Sequence, residues 1–272
     1  MWQASRYALL DGDRQWDAVQ ATRRLNARVA FVCEERSNSS EERVTVAVLF
    51  DPVFWGVDVP RGDGRLVVVL PGLFGGDLYL EPLRLWLRRL GYAPVRSTLA
   101  INVGCPRRLR EQVEAEIVQR MAGTVAPIAL IGHSRGGLIA WAIAASMQGR
   151  VSHLAVLGSP IGVFRDAVRS GANPAPGSQM GEILARASTF ARRLLDPDCD
   201  LPACGCAFIA DVQGTLNPAT ALLQVVSRDD RVVPQQAART DAGETVEVGG
   251  GHAGLVYNAE VYRALGRFLA AK

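Results

Sequence analysis

A single serine between glycines is the first place where this sequence could do covalent chemistry. In Gly132-His133-Ser134-Arg135-Gly136 the apolar run 127–131 ends, and a second apolar stretch begins at Leu138. Ser134 reads either as a nucleophile held on a strained turn or as an ordinary polar residue of a Gly-rich loop. The chain carries 27 glycines, so the pentapeptide alone decides little. Its placement says more. A sharp strand-to-helix turn admits only small flanking residues, lifts the hydroxyl above the sheet edge and aims a helix N-terminus at any nearby anion. That placement favours the nucleophile.

A serine hydroxyl needs a base, and the chain has 3 histidines. His133 lies in the turn itself, so its side chain is expected to point away from the serine's side. His153 falls in the middle of the apolar run 151–157 and reads as a satisfied core histidine. His252 remains, in the Gly-rich loop "GGGHAGL" between the last strand and the closing helix. A lone loop histidine is more often solvated, but elimination favours this one. The base in turn needs a carboxylate to hold its tautomer and stabilise the imidazolium. "SRDDRVVP" (227–234) offers Asp229 and Asp230 just after a strand, unless they are only an acidic turn partnered by Arg228 and Arg231. Two backbone amides must stabilise the oxyanion: one from Arg135, after the serine, and one from the loop "LPGLFGG" (70–76). That loop could also be a plain Gly-rich turn or a phosphate cradle. It lacks the Lys-Ser/Thr of a P-loop and the spacing of G-x-G-x-x-G.

These groups need a scaffold that brings them to one edge. From "PRGDG" (60–64) onward the pattern alternates strand and helix. "LVVVL" (66–70) is a continuous apolar run, as for a strand buried on both faces. Leu80, Leu83, Leu87 and Leu90 follow at helical spacing, with Arg84, Arg88 and Arg89 off that stripe. A strand near 94–99 and a helix over 106–122 precede the strand 127–131, and 135–147 reads as the helix leaving the turn. Strands at 151–157, 221–227 and 244–248 and an amphipathic helix at 258–270 complete the pattern. Such alternation implies a mainly parallel sheet with helices on both faces. The N-terminal part, 1–60, reads as an extension packed on the core, with a helix over 15–32 and an alternating strand over 44–50. The core is 61–272, interrupted by 161–219, far longer than an ordinary crossover. That insertion is expected to form a lid. Within it Ile183, Ala187, Phe190 and Leu194 share one helical face, which either meets an acyl chain or lipid surface or packs on the core.

Composition bounds the rest. A chain of 272 residues, 49% hydrophobic and 21% charged, reads as soluble and globular. The net charge of +3 is slight, and the arginines are scattered among glutamates, so no nucleic-acid face is expected. The apolar runs are far too short for a membrane span. "MWQASRYALLDGDRQW" places acidic residues where a signal peptide would have its apolar centre, which makes the cytoplasm the expected location. The 5 cysteines, an odd number, do not make a disulfide framework. Cys199, Cys204 and Cys206 could begin a zinc site, but a fourth ligand is not apparent, so free thiols or one local bridge are expected and no metal is assigned.

Taken together, "PGLFGG", "GHSRGG", "LGSPIG" (157–162), "SRDDRVVP", "GGHAGLVYN" and "LRRLGY" (87–92) resemble the α/β-hydrolase superfamily, in its bacterial serine esterase and lipase branch, over roughly residues 60–272. The resemblance implies the α/β-hydrolase fold, an acyl-serine intermediate and no cofactor. It implies Ser134 as nucleophile, His252 as base and Asp230, four positions before Pro234, as the acid. Leu73, following Gly72, and Arg135 are implied as amide donors. Phe74, Phe190 and Leu194 are the candidate substrate contacts. Two positions depart from the usual pattern: Pro71 stands where many lipases have histidine, and "GSPIGVF" replaces Gly-Ser/Thr-Pro-His-x-Gly. The function so implied is a serine ester hydrolase cleaving apolar acyl esters. A thioesterase or acyltransferase would share the same groups, and a catalytically silent binding protein could share the scaffold.

Overall fold

The run Leu66–Leu70 is apolar throughout because helices cover it from both sides. In the computed structural model, which describes residues 47–123, 125–169 and 208–271 with positions 178, 179, 182 and 186 between the last two spans, it forms strand β1. The chain divides into two units, Met1–Arg43 and Val44–Lys272, and all described residues belong to the second. The other strands are β2 (Ala93–Arg96), β3 (Ile128–His133), β4 (Val151–Leu157), β5 (Ala221–Ser227) and β6 (Glu244–Val248). They make one 6-stranded sheet in the order β2-β1-β3-β4-β5-β6, and every neighbouring pair is parallel. Parallel neighbours need crossovers, which the helices supply.

Alternate residues of each strand face opposite layers. On one face Val67, Val69, Ile131, Leu157 and Val225 pack with Leu83, Trp86 and Leu87 of α1 (Glu81–Leu90) and with Val261 and Leu265 of α7 (Ala259–Ala270). On the other, Val68, Leu70, Leu130 and Val156 pack with Val113 and Ile117 of α2 (Pro106–Arg120) and with Leu138, Ile139 and Trp141 of α3 (Arg135–Ser146). Three shorter helices, α4 (Ile161–Arg169), α5 (Phe208–Gln213) and α6 (Gln235–Ala238), lie between α3 and α7 in the chain. Trp86 is fully buried and donates Nε1–H to the Val53 carbonyl at 2.9 Å. Its truncation to alanine would cost about 3–5 kcal/mol.

The strand order positions the site. The crossover from β1 runs out through α1 on one face, and the crossover from β3 runs through α3 on the other. The loops after these adjacent strands therefore diverge and open a crevice at the C-terminal edge of the sheet, where ligands of open α/β sheets bind.

Three local expectations fail. Residues 47–50 are helical rather than extended. On a strand Val48 and Phe50 would share a face, yet Val48 is buried and Phe50 is exposed. Arg84 is not on the solvent side of α1. It is fully buried, with its guanidinium on Glu81 at 2.6 Å, on the Asp77 carboxylate at 3.4 Å and on the Asp77 carbonyl. Glu81, in the first turn of the helix, and Asp77, just before it, supply the acceptors that make this burial tolerable. Strand β2 also ends at Arg96, earlier than the pattern suggests, because Ser97 turns away to donate both its amide and its hydroxyl to Asp77. The insertion helix, with Phe190 and Leu194, and the cluster Cys199, Cys204 and Cys206 lie outside the described residues.

Candidate active site

Strand β3 delivers the chain into a turn that only one residue occupies. Ser134 has φ 52 and ψ −124, and α3 begins at the next residue. A left-handed conformation at a residue with a side chain costs on the order of 1–3 kcal/mol, so the surroundings must hold it. Ser134 N–H donates to the Leu157 carbonyl at 2.8 Å, and the Ser134 carbonyl accepts from Gly137 N–H at 2.9 Å. Packing around the turn leaves no room for side chains. A Cβ on Gly132 would stand 2.5 Å from the Gly137 amide nitrogen, and one on Gly136 would stand 2.4 Å from the Pro71 carbonyl oxygen.

The hydroxyl so raised meets a histidine. His252 Nε2 lies 2.9 Å from Ser134 Oγ, and His252 Nδ1 lies 2.7 Å from Asp230 Oδ2. An ionised carboxylate only accepts, so Nδ1 carries the imidazole proton and the Nε2 lone pair faces the serine hydroxyl. The Asp230 side chain is 1% exposed and that of His252 12%. Asp230 is fixed in turn: its Oδ1 accepts from the amides of Val232 and Val233, each at 2.8 Å. The neighbouring acid does a different job. Asp229 Oδ2 accepts from Gly250 N–H at 2.9 Å, and the Ser227 hydroxyl bonds the Gly250 carbonyl. These contacts pin the histidine loop to the end of β5. Three residues singled out in the sequence, Ser134, Asp230 and His252, therefore meet at one point.

The loop after β1 flanks the serine. The amides on either side of Leu73 are committed, Gly72 N–H to Tyr79 Oη at 2.7 Å and Phe74 N–H to the Asn102 carbonyl at 3.1 Å. The Leu73 amide has no hydrogen-bond partner among the described residues. Phe74 sits at φ +60 and is exposed beside it. Pro71, where histidine was the commoner residue, has its carbonyl held by Asn102 Nδ2 at 2.6 Å. The Arg135 guanidinium donates to the Asn102 and Gly104 carbonyls at 3.3 and 2.7 Å, tying the start of α3 to the segment after β2, whose Asn102 in turn holds the loop after β1. Sequence patterning gave no signal for Asn102, whose partners are set only by the fold.

His133 does not point away from the site. It is buried, with its ring centroid 4.8 Å from that of His252. Its Nδ1 lies 2.9 Å from Tyr79 Oη and its Nε2 3.0 Å from the His252 carbonyl. Burial, with the His252 ring beside it, pushes its pKa down to about 3. Among the described residues no group of three His, Cys, Asp or Glu side chains could hold a metal ion, and no helix is long and apolar enough to cross a membrane.

No protein-family model matches the chain, and no curated protein matches it in sequence. Solved structures do. A structure described among novel epoxide hydrolases of the α/β-hydrolase superfamily, from metagenomes of hot environments, is similar over 78% of this chain and 93% of its own, with 16% identity and a TM-score of 0.50. The monoacylglycerol lipase of Paleococcus ferrophilus covers 78% of this chain and 96% of its own, at 13% identity and a TM-score of 0.49. A thermophilic esterase from Thermogutta terrifontis covers 77% and 90%, at 17% identity and 0.46. With the parallel sheet and its strand order, the first of these establishes that the chain has the α/β-hydrolase fold.

Proposed function

We propose that this protein is a serine ester hydrolase, an esterase or lipase acting on apolar acyl esters. The observation that carries the reading is the line of contacts from Ser134 Oγ through His252 to Asp230, at 2.9 and 2.7 Å. His252 Nε2 takes the hydroxyl proton as Oγ attacks the ester carbonyl. The carbonyl oxygen becomes an oxyanion, received by the amides of Leu73 and Arg135. The imidazolium, stabilised by Asp230, then gives its proton to the departing alcohol. Water, deprotonated by the same nitrogen, attacks the acyl-serine and releases the acid.

Epoxide opening is disfavoured by the nucleophile itself. Attack by a serine hydroxyl on an epoxide carbon would leave an ether, which has no acyl carbon for water to attack, and turnover would stop. An ester substrate leaves an acyl-serine, which water can cleave.

The residues 161–219 are proposed as a lid whose apolar face, with Phe190 and Leu194, meets the acyl chain or a lipid surface, and Phe74 as a further substrate contact. Hydrolysis of nitrophenyl esters of increasing chain length, soluble and emulsified, tests the class and the lid together. A lid predicts that Phe190→Ser with Leu194→Ser loses long-chain activity and keeps short-chain activity. Equal loss on all lengths with a lowered melting temperature sinks the lid. Failure of the wild-type protein to hydrolyse any ester, and to be labelled at Ser134 by an organophosphonate, sinks the ester-hydrolase reading.

A further inference from the structure

The reaction uses one histidine, yet a second lies against it, buried and bonded through both ring nitrogens. The partners of His133 fix its protonation. The His252 carbonyl can only accept, so His133 Nε2 carries the proton and donates it at 3.0 Å. The ring is neutral in its buried site, so Nδ1 offers a lone pair, and Tyr79 Oη–H donates to it at 2.9 Å. The phenol oxygen then has lone pairs left, and Gly72 N–H donates to one of them at 2.7 Å. The result is a directed chain: Gly72 amide, Tyr79 hydroxyl, His133 imidazole, His252 carbonyl. One end is the residue before Leu73. The other is the backbone of the base.

Two further contacts hold the chain in place. Tyr257 Oη–H donates to the Tyr79 carbonyl at 2.7 Å, which ties Tyr79 to the segment just after the base. The Gly72 Cα stands so close to the ring that a Cβ there would lie 2.8 Å from His133 Nδ1 and 3.2 Å from Ser134 Cβ. Burial pushes the Tyr79 phenol up and His133 down, so neither changes charge in the range where proteins work. The polarity of the chain is therefore constant.

We infer that Tyr79 and His133 are positioning residues that hold the Leu73 amide and the His252 ring in one fixed relation around Ser134. The inference rests on the ester-hydrolase reading above and deepens it. The two groups that must act together, the oxyanion donor and the base, sit on loops that follow β1 and β6, far apart in the sheet order. Nothing in the triad itself fixes the distance between them. The Tyr79–His133 pair does, through one bond to each loop. It touches neither substrate nor the proton in transit, so its effect falls on turnover rather than on ground-state binding.

The experiment compares wild type, Tyr79→Phe, His133→Leu and the double variant on a short-chain nitrophenyl ester, with Tyr92→Phe as control. Tyr79→Phe removes a single oxygen and leaves the ring packing intact. Tyr92 is buried with its hydroxyl unpartnered among the described residues, so its loss tests tyrosine removal as such. Complete loss of an oxyanion donor costs about 100–1000-fold in kcat, and a displaced donor should cost part of that, ~10–100-fold. The expected result is that fall in kcat for Tyr79→Phe, with KM within threefold and the control unchanged. The double variant should be no slower than His133→Leu alone, because either change breaks the same chain. Nitrogen NMR of labelled histidine supplies a readout independent of activity: the bare Nδ1 resonance of His133 should shift when Tyr79 loses its hydroxyl. A Tyr79→Phe enzyme with kcat within twofold of an active wild type overturns the inference alone. So does a fall in both kcat and melting temperature that the control reproduces. A wild type that neither turns over esters nor reacts with phosphonate overturns the ester-hydrolase reading first, and the inference with it.

Discussion

His252 and His153 occupy opposite ends of the same sheet, and both use their two ring nitrogens, but with opposite tautomers. At the C-terminal edge Nδ1–H of His252 points to the Asp230 carboxylate, which leaves Nε2 bare and aimed at Ser134. At the N-terminal edge Nδ1 of His153 receives an N–H from Arg65 at 2.6 Å, and Nε2–H is spent on the Ala271 carbonyl at 3.1 Å. A carboxylate on Nδ1 frees the other nitrogen as a base. A guanidinium there turns the same ring into a tie between β4 and the end of the chain. What sets the tautomer of the proposed base apart from that of His153 is thus the charge of the group on Nδ1.

The comparison breaks most completely if the group facing the bare nitrogen is removed. Ser134→Ala should lower turnover by on the order of a million-fold while the protein stays folded, as judged by its melting curve. Ester hydrolysis within tenfold of wild type, in a preparation free of contaminating esterase, would mean that another residue attacks. The next largest effect tests the carboxylate. Asp230→Asn offers an amide N–H or a weaker acceptor to Nδ1, which misorients the imidazole and removes the charge opposite the imidazolium; kcat should drop ~10⁴-fold. Asp229→Asn keeps an oxygen for the Gly250 amide, so its turnover should stay within about tenfold, the loss of one charge-assisted bond in a loop. A reversal of the two results would move the acid to Asp229 and undo the geometry described here.

The same contrast explains what could be read in advance. Continuous apolar runs such as Leu66–Leu70 and helical stripes such as that of α1 are local patterns, and they put the sheet and both helical layers in place. The strand-to-helix turn at Ser134 and the loop histidine were legible for the same reason, since small residues and loop position are written in neighbouring letters. The choice between Asp229 and Asp230 was not fixed by patterning, because adjacent acids differ only in which backbone amides their oxygens meet after the turn closes; the family resemblance chose Asp230, and the turn supplies the reason. Tyr79, Asn102 and the role of His133 were not legible at all. Tyr79 is separated from His133 by 54 positions and Asn102 from Pro71 by 31, so nothing local marks them as partners. Arg84 misled for a different reason: the periodicity of the helix placed it off the apolar stripe but did not reveal that Asp77 and Glu81, only seven and three positions earlier, would turn their acceptors onto its guanidinium.

The smallest change in turnover is expected at His153, and there the comparison sharpens as pH. Burial first, then the Arg65 charge, holds the His153 pKa below the usual imidazole value of 6.5, while the Ala271 carbonyl and Asp63 oppose that shift. The groups facing the ring are Arg65, the Ser152 hydroxyl, the Ala271 carbonyl and the edge of Phe268, and a proton on Nδ1 would stand against the Arg65 N–H. In the unfolded chain the imidazole takes a proton as pH falls through about 6.5, while the folded one resists. Below that pH the unfolded state therefore binds more protons, and stability rises with pH. The contribution is complete above about pH 6.5 and is lost as pH falls below it. His133 acts in the same direction, with the lower end of its window near its folded value of about 3. Melting temperatures measured from pH 7 down to 4 should fall for the wild type. His153→Gln, which can bond but cannot titrate, should flatten part of that slope and leave kcat at pH 8 within twofold. An unchanged slope would show that folding does not depress the His153 pKa, and a kcat loss beyond tenfold would mean that the far edge of the sheet is coupled to the chemistry after all.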